Sequence, residues 1–455
     1  MGRESQCNRW LTAGLLFCIF VLSMTAQAGT DSVKGELIDE VWSGHPVSYS
    51  MLADRGHLFI AYYDGERRLT LKSRKIGETA WTTVHPEGVM LPRHNRMSNV
   101  TGWDSHNYLT MTLDRNGCLH LSGNMHNDPL IYYRTTEPLD IASIKRIDTM
   151  TGQYEERVTY PQFLKDQDGN LIFRYRVGGS GNGNEYYNRY DPDNKTWKPL
   201  LDSPLLDGQQ KCSAYGTGPR KGPDGKFHML WMWRDTPNAG SNHTLTYARS
   251  PDLLHWETHS GKPCPLPITP GQGDVVDPLP PFKGLINMGY TLGFDANHAP
   301  VAAYHKYDEN GNSQAFVARP LKDGTWKIKQ ISDWNFRWEF SKNGSQNREV
   351  SLRFAAPNPD GSLNLTYKAR DKSGRWRLAA ETFEKLELLP IEKVAKKPEP
   401  NYPRMDYPGL QMNSESATYD GKTWVLRWET LDRNGDKPRE KVPPKSQLRL
   451  YRLDK

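Results

Sequence analysis

Apolar and polar residues alternate in short runs along most of the chain, and apolar positions at helical spacing are nearly missing. Two such runs repeatedly flank a turn built on Asp or Asn and Gly. Clear cases are Tyr108 to Leu113, Asp114-Arg115-Asn116-Gly117, Cys118 to Ser122; Phe163 to Lys165, Asp168-Gly169, Leu171 to Val177; and Leu352 to Ala356, Asp360-Gly361, Leu363 to Tyr367. A period of two on both sides of a tight turn predicts β-hairpins. Taking one turn per unit gives Asp54, Asp114, Asp168, Asp224, Asp295, Asp360 and Asp420, with spacings of 60, 54, 56, 71, 65 and 60 residues, hence seven units.

A second series, Trp81, Trp197, Trp256, Trp326 and Trp376, sits in short strands with polar flanks, and the stretch around Ile144 supplies the outer strand missing between the first two. Four-stranded repeats at this period predict an all-β, seven-bladed β-propeller, in which each blade buries its faces against its neighbours. The competing fold, two unrelated β-sandwiches, leaves the regular turn spacing as accident. In the last unit Leu448 to Leu453 is the third strand, and Leu37 to Trp42 from the N-terminus supplies the fourth, which would close the ring and remove its exposed edges. The Pro-rich stretches Pro263 to Pro281 and Lys393 to Pro403 read as long loops within one propeller domain over 29–455.

Composition narrows the class. With 36% hydrophobic and 25% charged residues, 38 Gly, 32 Pro, 22 Tyr and 14 Trp, the chain is folded and turn-rich. Collagen, coiled coil and a polytopic membrane protein are excluded. Arg3 and Arg9, the apolar run Leu15 to Leu22 and Ala26-Gln27-Ala28 predict a secretion signal over 1–28, and that run is far short of the roughly 20 residues a membrane anchor needs. The mature protein is therefore expected in the periplasm or outside the cell, with no membrane partner. Removing Arg3, Arg9 and Glu4 takes the net charge from +6 to +5, too small to demand nucleic acid and compatible with a polyanionic substrate. Cys118, Cys212 and Cys264 are odd in number and widely spaced, so buried free thiols are expected ahead of one bridge or a metal site with a His such as His243.

No P-loop, dinucleotide fingerprint, His-Glu-x-x-His or Gly-x-Ser-x-Gly is present. Chemistry must come from scattered residues. The richest segment, Trp103-Asp104-Ser105-His106-Asn107-Tyr108, is followed across one hairpin by Ser122-Gly123-Asn124-Met125-His126-Asn127, so both histidines should emerge at the same end of one blade. The next unit offers Tyr160 and then Arg174 and Arg176, two apart on a strand and sharing a face, running into the glycine-rich Gly178-Gly179-Ser180-Gly181-Asn182-Gly183. Ser213-Ala214-Tyr215-Gly216 precedes another hairpin. Asn107, Asn124, Arg174 and Tyr215 are the candidate substrate contacts. One or two His, a Tyr and an Arg without a carboxylate pair do not suit an ordinary glycosidase. They suit β-elimination beside a uronic acid, where a cation neutralises the carboxylate, a base takes the C5 proton and an acid protonates the leaving oxygen at C4.

Asp104 to Tyr108, Leu119 to Asn127 and Arg174 to Gly183 resemble the BNR-repeat propeller group that contains the ulvan lyases of polysaccharide lyase families 24 and 25, and family 25 above all. The likeness runs over most of the mature chain, through Trp334-Asn335-Phe336-Arg337-Trp338. It implies a secreted, monomeric seven-bladed propeller that cleaves between sulfated rhamnose and a uronic acid. It also implies that His106 is the base, Tyr160 the acid or its partner, Arg176 the carboxylate neutraliser and His126 a support for the same group. No cofactor is implied for the chemistry, although members can carry a structural metal ion, calcium or zinc, whose ligands the sequence does not name. Two other functions compete: a rhamnose-glucuronate glycosidase or lyase acting on chain ends, and a glycan-binding propeller without activity.

Overall fold

The computed structural model describes residues 35–389 and 401–453. The expected leader over 1–28 and most of the charged loop from Lys393 lie outside them. Among the described residues the chain is almost wholly strand and loop, with helix confined to three single 3-10 turns. Seven sheets of four or five strands succeed one another. Each of the seven aspartate turns joins the first two strands of one sheet, so the sequence repeat and the structural repeat coincide.

The first sheet, Ser50–Asp54, His57–Tyr63, Leu69–Lys75 and Thr82–Val84, shows the plan: consecutive antiparallel strands, each hydrogen bonded to the next. Its first strand packs on Leu109–Leu113 of the second sheet and on Leu410–Tyr419 of the last, and Leu109–Leu113 packs in turn on Val158–Lys165 of the third. The first strands of these four sheets thus meet one another. In the last sheet Glu36–Val41 pairs antiparallel with Ser446–Leu453, as the reading of Leu37 to Trp42 expected. Hydrogen bonds are joined there by burial of Ile38 and Val41 in one cluster with Leu426, Leu448 and Leu450. Each such side chain contributes roughly 1.5–3 kcal/mol, enough to make the N-terminal strand a structural member of the sheet.

Two expectations need correction. The tryptophans do not mark one structural position: Trp197 and Trp326 lie in fourth strands, whereas Trp376 lies in the third strand Lys372–Leu378 and the fourth is Lys385–Leu389. There the second and third strands are joined by the tight Arg370-Asp371 turn, which brings Trp376 forward to stack on Tyr367 at 4.0 Å. Trp256 precedes the fourth strand Asp274–Asp277 by most of the Pro-rich loop. Second, His106 and His126 do not share a sheet. His126–Asp128 forms a fifth, inner strand of the third sheet against Val158–Lys165. The strand Ile144–Arg146 does complete the second sheet. Cys118, Cys212 and Cys264 are buried free thiols, and no described helix is long and apolar enough to cross a membrane.

Candidate active site

At the end of the sheets opposite the aspartate turns lies a cavity of about 420 Å³, to which all seven units contribute, among them Ser48, His106, Tyr160, Tyr215, Asn287, Ser345 and Arg433. A second cavity of about 410 Å³ adjoins it, sharing Tyr108, Tyr160, Tyr215 and Asn287 and reaching Gln162, Arg174, Arg176 and Glu185. A larger one, about 480 Å³, opens at the turn end around Pro223, Phe294 and Phe354 and holds none of the predicted site residues.

His106 stands on the loop before Leu109–Leu113, and His126 arrives on the inner strand of the next sheet. Their rings stack at 3.9 Å. Asp104 joins them: His106 Nδ1 lies 2.6 Å from one carboxylate oxygen and His126 Nδ1 2.5 Å from the other. Since a carboxylate only accepts, both Nδ1 atoms carry hydrogens, which leaves each Nε2 with a lone pair. Burial pushes the Asp104 carboxyl up, but the two histidine hydrogen bonds more than reverse this and hold it well below the usual carboxylate range. Burial lowers His106 below 6.5, against the pull of Asp104. Ser105 N–H donates to Asp436 at 3.0 Å, pinning this loop to the last sheet.

Tyr160 O–H donates to His106 Nε2 at 3.2 Å. It reaches there because the first strand of the third sheet is irregular: the register slips between Thr159 and Gln162, and Tyr160 takes a positive φ of 59°. Positive φ is costly for a tyrosine and is tolerated when the surroundings over-determine it, which happens chiefly at functional sites. Burial pushes its phenol up to about 12, so it stays protonated. The Arg176 guanidinium lies over its ring at 4.8 Å and donates to Tyr215 Oη at 3.0 Å. Tyr215 donates onward to Ser180 Oγ at 2.8 Å. Its phenol is pushed up by burial and pulled down more strongly by Arg176, Arg234 and that serine, ending below the usual tyrosine value.

The predicted site residues therefore divide. His106, His126, Tyr160, Arg176 and Tyr215 come together. Arg174 lines the adjoining cavity, but its charge is spent on a buried ion pair with Glu185, to which Tyr187 also donates. Asn107 and Asn124 are each 1% exposed and line neither cavity. Asn124 instead donates to the Ser98 and Val100 carbonyls at 2.6 and 3.0 Å, holding the neighbouring loop. Asp104, Ser180 and Arg234 touch these side chains and were left unassigned by sequence reasoning. Asp104 had a signal, a carboxylate two residues before a candidate base; Arg234 had only its place at the end of an apolar strand.

Asp104, His106 and His126 are also the three described residues whose donor atoms cluster closely enough to suggest a metal. They do not fit one. Both Nδ1 atoms already meet carboxylate oxygens at hydrogen-bond distance, with no gap between them for an ion.

Comparison with known proteins bears on family and fold. The curated long-isoform ulvan lyase of Alteromonas sp. (strain LOR) is 30% identical over 136 residues, 26% of this chain and 13% of that protein. The short isoform from the same strain is 27% identical over 163 residues, 31% of each. The chain thus spans less than a third of either relative in the matched segment. Among solved structures, a PL25 ulvan lyase bound to -[GlcA(1-4)Rha3S]- aligns with a TM-score of 0.56 at 12% identity, over 92% of this chain and 96% of that one. The polysaccharide lyase Uly1 aligns at 0.55 and 14% identity over 90% of each. The all-β fold is shared with these propellers. A family model described as BNR repeat-containing family member matches residues 57–334, more than half of the sequence, and the chain belongs to that family.

Proposed function

We propose that this protein is a secreted polysaccharide lyase that cleaves ulvan-type bonds between sulfated rhamnose and a uronic acid by β-elimination. Residues 1–28 are the leader, and 29–455 form one monomeric seven-bladed propeller whose ring is closed by Glu36–Val41. The observation that carries the reading is the line from Asp104 through His106 Nε2 to Tyr160, with Arg176 over the Tyr160 ring. It supplies a base whose Nε2 faces the cavity and is held only by Tyr160, a phenol that keeps its proton, and a cation with no carboxylate partner among the described residues.

Arg176 neutralises the uronate carboxylate, which makes the C5 proton acidic. His106 Nε2 takes that proton, its electron pair forms the C4–C5 double bond, and the C4–O bond breaks. Tyr160 gives its proton to the leaving oxygen, and His106 then returns one to Tyr160, since the two already share a hydrogen bond. Asp104 fixes the tautomer of His106 and steadies the imidazolium formed. His126, stacked on His106 and bound to the same carboxylate, supports the group. No metal is needed in this sequence, and the partner is an acidic sulfated polysaccharide, with no role for nucleic acid or membrane.

The test is ultraviolet absorbance of ulvan incubated with the mature protein, because elimination leaves a conjugated unsaturated uronate and hydrolysis does not. A rise that is lost in His106→Ala supports the proposal. New reducing ends without absorbance would mean a glycosidase, and neither signal a binding protein.

A further inference from the structure

Three arginines are buried among the described residues, Arg174, Arg176 and Arg234. Arg174 has Glu185; neither of the others has an ion pair with a carboxylate. They also occupy equivalent places. In the third sheet Thr159, just before Tyr160, faces Arg176 across the first two strands. In the fourth, Ser213, two residues before Tyr215, faces Arg234. Adjacent sheets thus each bring a tyrosine near the start of the first strand and an arginine near the end of the second. The four side chains stack in alternation: Arg176 over Tyr160 at 4.8 Å and over Tyr215 at 5.4 Å, and Arg234 over Tyr215 at 5.0 Å.

Arg234 is 7% exposed and lines the cavity that holds His106 and His126. Its Nε donates to the carbonyls of Thr236 and Asn238 at 3.1 and 3.3 Å, and its Nη2 to that of Pro237. The neighbouring Asp235 is engaged by His243 at 3.0 Å. Carbonyls satisfy N–H groups but do not cancel a charge. A buried guanidinium fixed this way, facing a cavity and lacking a counter-ion, is preorganised for an anion, and its planar fork suits one with several oxygens.

We infer that Arg234 is the receptor for a second anionic group of the polysaccharide, a sulfate ester on the sugar next to the uronate held by Arg176, so that the site reads a pair of anions across one tyrosine ring. The inference rests on the lyase reading for its substrate. The residue acts in recognition and leaves proton transfer to His106 and Tyr160.

The experiment compares intact and chemically desulfated ulvan for the wild-type protein, Arg234→Gln and Arg234→Lys, in turnover and in equilibrium binding. On the intact polymer Arg234→Gln should lose about tenfold in kcat/KM, chiefly through KM, and Arg234→Lys less. On the desulfated polymer all three should agree within about twofold, because desulfation and substitution remove the same contact. An equal loss on both polymers would overturn the inference and make Arg234 part of the carboxylate site or the loop scaffold. If the wild type gives no unsaturated product from either polymer, the lyase reading fails; binding then decides, since selective weakening for the sulfated chain supports the receptor and unchanged binding refutes it. Should Arg234→Gln lower the melting temperature, the intact-to-desulfated ratio of Arg234→Lys replaces it.

Discussion

A histidine–aspartate–tyrosine group stands at each end of the second sheet, the one at the cavity end completed by Tyr160 of the third, and the two could hardly differ more. At the turn end His120 is fully buried, with Nε2 3.4 Å from Asp114 and Nδ1 2.8 Å from Tyr132 Oη. The fourth sheet repeats the arrangement with His228, Asp224 and Tyr247 at 2.7 and 2.6 Å. At the cavity end His106 meets Asp104 and Tyr160 with similar distances, but its side chain keeps 20% of its exposure and a second histidine shares the carboxylate. Burial lowers all three histidines below 6.5, so titration does not tell them apart. Access does. His120 and His228 spend both nitrogens inside the sheet, whereas His106 Nε2 faces a cavity and is tied only to a tyrosine that can itself move a proton.

The sharpest way to break this comparison is to delete each histidine. His106→Ala should cost about a thousandfold in kcat with the thermal midpoint almost unmoved, since it removes a proton-transfer group from a partly open site. Arg176→Gln should follow, with a loss of about a hundredfold in kcat/KM measured on ulvan, because an uncompensated carboxylate leaves the C5 proton weakly acidic. His120→Ala should do the reverse of His106→Ala: turnover per folded molecule unchanged, and stability reduced by roughly 3 kcal/mol in denaturant unfolding, as Asp114 and Tyr132 lose a buried partner.

Asp104→Asn sharpens the comparison through pH. The base form of His106 fills as pH rises through a value below 6.5, so the acid limb of kcat/KM should lie below 6.5. Asp104 pulls that value up, hence Asp104→Asn should move the limb to still lower pH while reducing the plateau about tenfold. At a third kind of histidine the expected effect is on stability alone. His305 is 2% exposed, donates to the Gly284 carbonyl at 2.6 Å, and is lowered by burial to about 4. Its folded value lies below the unfolded one, so its contribution is complete above 6.5 and is lost as pH falls toward 4, at most roughly 3 kcal/mol. Unfolding of His305→Phe at pH 7 and pH 4.5 should show a smaller drop between the two than the wild type.

The sequence by itself determined what local geometry controls. A period of two side chains and an Asp-Gly turn dictate hairpins wherever they occur, which is why seven aspartates located seven sheets and Leu37 to Trp42 could be matched to the last of them. The same logic put His106, His126, Tyr160, Arg176 and Tyr215 at one end, because a hairpin sends the start of its first strand and the end of its second to the same side. Tertiary structure decided which of those side chains touch. Asp104 bridges two histidines only because the chain crosses to the third sheet before His126, Tyr160 reaches His106 only through a register slip, and Arg234 reaches Tyr215 from sequence 19 residues away. Asn107 and Asn124, adjacent to the histidines in sequence, turned inward instead: Asn124 bonds the Ser98 and Val100 carbonyls, while the Asn107 amide is buried without a side-chain partner. Convergence of this kind depends on how sheets pack against one another, and no pattern within a single hairpin records it.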